Sequence, residues 1–111
     1  MDINPKDFTA LWEDMEMARK AKLLQSPLII LICAWLDADI NHSESGNETV
    51  QYWHSRLNVS HKCHFIACNR IGSEEDTTFV GSSTVMSLPS GTILATASKN
   101  QSEIIVTEFD L

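Results

Sequence analysis

The sequence predicts one small α/β domain. Three observations carry that prediction: an unbroken apolar run from Leu28 to Trp35, two stretches whose apolar residues recur at helical spacing, and a second half in which turn residues separate short β-rich runs. An apolar run without alternation is what a strand needs when it is covered on both faces or lies in a sheet roofed by helices. Extended to Leu36, the run reaches only about half of the roughly 20 residues that cross a bilayer, so it reads as a buried strand.

The elements follow in order. Asn4-Pro5 is a good helix start, because Asn can cap free amides and Pro at the first helical position gives up nothing. Phe8, Leu11, Trp12, Met15 and Ala18 then share one apolar face of a helix running to about Leu24, which Gln25-Ser26-Pro27 stops. After the Leu28–Trp35 strand, Asp37 to Asn47 is a polar loop. Val50, Trp53 and Leu57 return to helical spacing, with Asn47 as the expected cap. A strand is expected at Cys63–Asn69, followed by two or three more within Ser82–Ser87, Ile93–Ala97 and Glu103–Phe109, divided by Pro89-Ser90-Gly91 and Lys99-Asn100. No repeat, low-complexity tract or linker interrupts the chain, so residues 1–111 read as one domain.

Composition narrows the function classes. With 43% apolar residues, 4 Gly and 3 Pro, the 111-residue chain is globular in character. Fifteen acidic against eight basic residues give a formal charge of −7, and no Lys/Arg cluster offsets it. Nucleic acid and anionic membranes are therefore not expected partners. Three Cys at irregular spacing do not make a disulfide framework, and no signal peptide is recognisable, so a reducing, cytoplasmic setting is expected. The Asn-x-Ser/Thr triplets at Asn41, Asn47, Asn58 and Asn100 are then chance.

The motifs point further. Asn69-Arg70-Ile71-Gly72, Phe79-Val80-Gly81-Ser82-Ser83 and Ser90-Gly91 stand at short spacing behind a strand, a loop and a helix. In that order they resemble the closing part of a nitrilase-superfamily (carbon-nitrogen hydrolase) domain. Met1-Asp2-Ile3-Asn4-Pro5, Phe8, Ala34-Trp35-Leu36, Tyr52-Trp53 and Arg56-Leu57 are similar to the protein N-terminal asparagine/glutamine amidases of that superfamily. Asn58-Val59-Ser60-His61 and Gly91-Thr92-Ile93-Leu94 depart from that subgroup, the latter reading more like the general nitrilase-type ending.

The resemblance implies the C-terminal half of a nitrilase-type α-β-β-α sandwich, a partial carbon-nitrogen hydrolase domain. It implies an enzyme in which a thiolate attacks the side-chain amide of an N-terminal Asn or Gln and a Glu passes the proton to departing ammonia. A Lys and a backbone N–H hold the oxyanion until water releases Asp or Glu. The nucleophile is then expected just before Met1, the oxyanion-binding N–H at Met1 itself, and the Glu and Lys earlier still. The 111 residues by themselves are thus expected to be inactive. The implied partners are protein N-termini bearing Asn or Gln, as in N-degron processing, with a homo-oligomer possible in principle and no cofactor. The alternatives are a small-molecule amidase or nitrilase, or a catalytically silent remnant that binds or dimerises through its sheet.

Each candidate residue has a plainer structural role beside its functional one. Trp35 ends a buried strand, where open α/β sheets place their ligand crevice, and is the leading substrate-binding candidate; packing on the first helix is the competing reading. Asp37 or Asp39 can meet a substrate ammonium, against the plainer role of a solvated loop acid. Cys33 sits in Ile32-Cys33-Ala34-Trp35-Leu36-Asp37, which superficially resembles the family's nucleophile motif, but the Asp is two residues late and a structural thiol is expected. His61, Cys63, His64 and Cys68 fit no metal spacing, since alternation sends Cys63 and His64 to opposite faces. Asn69 and Arg70 are expected to fix the following loop by hydrogen bonds and a buried or half-buried ion pair. Gly81, Ser82 and Ser83 are expected to serve close backbone packing.

Overall fold

The computed structural model describes residues 3–4, 11, 15–38 and 45–111. Along the chain run α1 (Glu16–Leu24), β1 (Leu28–Cys33), α2 (Asn47–Arg56), β2 (His64–Asn69), the two-residue strands β3 (Ser73–Glu74) and β4 (Thr77–Thr78), β5 (Thr84–Ser87) and β6 (Thr92–Thr96). One sheet takes the order β1-β2-β5-β6, and β3-β4 form a separate small hairpin. β1 lies parallel to β2, so β1-α2-β2 is a crossover unit, and β5 and β6 add antiparallel. A register shift between Val85 and Met86 bends the β5-β6 pair.

The sheet has two unlike faces. On one, Ile29, Leu31 and Cys33 of β1, Phe65 and Ala67 of β2 and Met86 of β5 meet Ala18 and Ala21 of α1 and Val50, Trp53 and Leu57 around α2. This is the core. Trp53 and Phe65 are fully buried and lie 6.3 Å apart edge to face, and each burial stabilises by about 2–3 kcal/mol. On the other face stand Ile30 and Ile32, 59% and 82% exposed, together with Ile66 and the exposed Cys68. Among the described residues, the helices therefore roof one side only. The segment after β6 crosses part of the second side, where the Phe109 ring stacks on His64 at 4.2 Å.

Several sequence expectations shift. The expected helix from Asn4 is seen only from Glu16; Leu11, placed on its apolar face, is 76% exposed, and residues 5–10 and 12–14 lie outside the described residues. Asn47 is the first helical residue rather than the cap: Gly46 holds that position, and Ser45 Oγ accepts the Asn47 N–H. The first strand stops at Cys33, because Trp35 turns its backbone toward Asn69 and Val80. β5 begins at Thr84 because Ser82 has φ +58°, which no strand accommodates.

Glu103–Phe109 forms no strand, although its exposure alternates as an extended segment's would. Polar side chains explain the departure: Glu103 accepts the Ser98 N–H and Ser98 Oγ accepts the Gln101 N–H, turning the chain off the sheet edge. Met1 and Asp39 lie outside the described residues. Among the described residues, no helix is long and apolar enough to cross a membrane.

Candidate functional site

In a parallel crossover the chain leaves β1 and enters α2 at the carboxyl end of the sheet, and the diverging connections leave a crevice there. The crevice in this protein is a cavity of about 290 Å³. Trp35, Leu36 and Asp37 line it from the end of β1, Gly46, Glu48 and Tyr52 from the start of α2, and Val80 from the loop before β5. Trp35 and Asp37, singled out from sequence, thus share one cavity. The Trp35 ring lies 5.7 Å from Tyr52 and 5.9 Å from Trp53, so it packs on α2 while it walls the cavity.

Asn69 builds the floor. Its side-chain oxygen accepts the Trp35 N–H at 2.6 Å and the Cys33 thiol at 3.3 Å. Its amide nitrogen donates to the Gly81 carbonyl at 2.9 Å and to that of Trp35. Ser83 Oγ accepts its backbone N–H. A single carboxamide therefore ties the end of β1 to the loop before β5, which is the loop-fixing role expected of it. Gly81 lets the Lys99 backbone come close to this loop: it has φ +56°, and a Cβ there would sit 2.4 Å from the Lys99 carbonyl. Arg70 pairs with Glu74 at 2.9 Å near the surface and lies over the Phe79 ring.

The sealed ion pair is a different one. Lys99 Nζ stands 2.7 Å from Asp37 Oδ2, with side chains only 10% and 12% exposed. The Asp37 carboxylate thus already has a cation beside it. In the sequence Lys99 reads as a turn residue, and nothing local signals that the fold brings it to Asp37. Glu48 was also missed, because a Glu in the first turn of a helix is the ordinary dipole-compensating choice.

Ile3 and Asn4 approach the same region. The buried Arg56 donates through Nε to the Ile3 carbonyl at 2.7 Å, and the Tyr52 hydroxyl donates to Asn4 Oδ1 at 2.6 Å.

The cysteine and histidine candidates separate. Cys33 donates to Asn69 and Cys63 is fully buried, where desolvation pushes its thiol pKa up. His61 bonds the Ser26 carbonyl, while His64 and Cys68 stand on the face opposite Cys63. No group of three His, Cys, Asp or Glu among the described residues is placed to hold a metal.

No family model matches the chain. It is 33% identical to a protein N-terminal amidase of Schizosaccharomyces pombe over 109 aligned residues, covering 82% of this chain and 38% of that protein. Its structure matches a carbon-nitrogen hydrolase of Helicobacter pylori with a TM-score of 0.57 and 27% identity, over 79% of this chain and 33% of that one. The chain thus spans between a third and two fifths of the length of these relatives. One sheet roofed by two helices and that pair of matches agree with the motifs, and the chain belongs to the carbon-nitrogen hydrolase, or nitrilase, superfamily.

Proposed function

We propose that this chain forms the substrate-pocket portion of an amidohydrolase that converts N-terminal Asn and Gln of proteins to Asp and Glu with release of ammonia. The observation that carries the reading is the cavity at the end of β1, walled by Trp35, Tyr52 and Asp37, in a chain similar to a protein N-terminal amidase. Its size suits one side chain and the amine next to it. In this reading the chain supplies walls and positioning. The covalent step, thiolate attack on the amide carbonyl, loss of ammonia and hydrolysis of the thioester, belongs to a nucleophile outside the 111 residues. The tethering of Ile3 and Asn4 to α2 supports a position for that nucleophile close to Trp35. Three free thiols support a reducing, cytoplasmic setting.

The test exchanges the matched segment of the Schizosaccharomyces pombe protein for this chain and measures ammonia released from peptides with N-terminal Asn or Gln, from internal-Asn peptides and from a small aliphatic amide. Release confined to N-terminal Asn and Gln is the expected outcome. A folded chimera that hydrolyses only the small amide sinks the N-terminal reading and leaves a small-molecule amidase. The exposed Ile30 and Ile32 favour a second reading, a binding module that acts through its uncovered sheet face.

A further inference from the structure

We infer that Glu48, and not Asp37, is the carboxylate that receives the α-ammonium of a peptide N-terminus in this cavity. The inference rests on the reading of the cavity as a peptide N-terminus site and adds to it the residue that recognises the charge.

Two acids among the described residues line the cavity, and they differ in their electrostatic surroundings. Asp37 has Lys99 Nζ at 2.7 Å, and both side chains are nearly sealed from water. To an approaching ammonium that pair is close to neutral, and the lysine would repel it. Glu48 is exposed on the cavity rim, and among the described residues no cation pairs with it. It stands in the first turn of α2, on the rim of the cavity beside Tyr52.

Geometry adds aromatic faces. Glu48 and Tyr52 are one turn apart on α2, so their side chains share a face, and the Tyr52 ring stands 5.7 Å from Trp35. A primary ammonium held by Glu48 would therefore lie within reach of two π faces, each of which attracts a cation. An Nα-blocked peptide would forfeit both contributions.

The test is a ¹H–¹⁵N titration of the full 111-residue chain. The probes are a tetrapeptide amide beginning with free Asn, its Nα-acetyl form, the same peptide beginning with Ala, and n-butylammonium. The free-amine Asn peptide should shift Trp35 and Gly46 and bind about tenfold tighter than the acetylated one, the factor of one charge-assisted contact. Glu48→Gln should erase that difference, and Glu48→Asp should keep part of it. Glu48 is an exposed helix residue, and native dispersion of each variant's spectrum is read in the same experiment. Equal binding of free and acetylated peptides, or a Glu48→Gln variant that still discriminates, overturns the inference. Ala and Asn peptides binding alike with Glu48 still required leaves the inference standing and sinks the amide reading instead. Butylammonium matching the Asn peptide reduces the site to a general amine site and overturns its assignment to peptide N-termini.

Discussion

At the scale of single residues, the chemistry that matters is which charges are already spent. Lys99 and Asp37 sit 2.7 Å apart with little exposure, so removing one partner takes a close ionic contact from the other where water replaces it poorly. Lys99→Met is expected to destabilise the fold by about 2 kcal/mol. Urea unfolding followed by tryptophan fluorescence checks this, and an unchanged midpoint would show that Asp37 finds its compensation elsewhere. The sequence disclosed Trp35 and Asp37 because both follow directly on an apolar strand, and strand ends are where ligand crevices form. It hid Lys99, whose partner is reached only through the folded sheet. It hid Glu48 as well, because the same residue at the same helical position is ordinary in any soluble helix. Asn69 lay between these cases: its motif marked it, but the five groups it bonds are visible only in three dimensions.

At the scale of elements, strongly patterned segments were legible and their ends were not. The Leu28 run, the Val50–Trp53–Leu57 periodicity and the His64–Asn69 strand each have packing partners that agree with local pattern. The last run, Glu103 to Phe109, has β-like composition yet pairs with no strand among the described residues, because Ser98, Gln101 and Glu103 satisfy one another and redirect the chain. Composition reports a preference for extended backbone, not the presence of a neighbour. The β3-β4 hairpin escaped notice because two residues per strand carry no period.

The loop before β5 closes one side of the cavity through Val80. Gly81 holds φ +56° with the Lys99 carbonyl pressed against it. Gly81→Ala should cost at least about 2 kcal/mol through backbone strain and the close approach together. It should also shift the Val80 and Trp35 resonances. Thermal unfolding and a ¹H–¹⁵N spectrum read both effects, and a variant as stable as the parent would refute the strain argument.

At the scale of the whole molecule, the described residues cover the sheet on one side and leave it largely open on the other. The family resemblance foresaw that asymmetry, whereas composition and periodicity alone reached only a small α/β domain. Ile30 and Ile32 on an edge strand make a surface that gains by excluding water. The chain on its own is expected to self-associate, and Ile32→Glu to move the equilibrium toward monomer, as sedimentation velocity over a concentration series would show. A parent chain monomeric throughout would remove the basis for association through this face. The tail that stacks Phe109 on His64 already occupies part of the same surface. It is in effect an internal competitor: an incoming partner's apparent affinity there is scaled by the fraction of molecules in which the tail has lifted away. The segment around Phe109 can therefore set how readily this face is taken up without any change to the sheet itself.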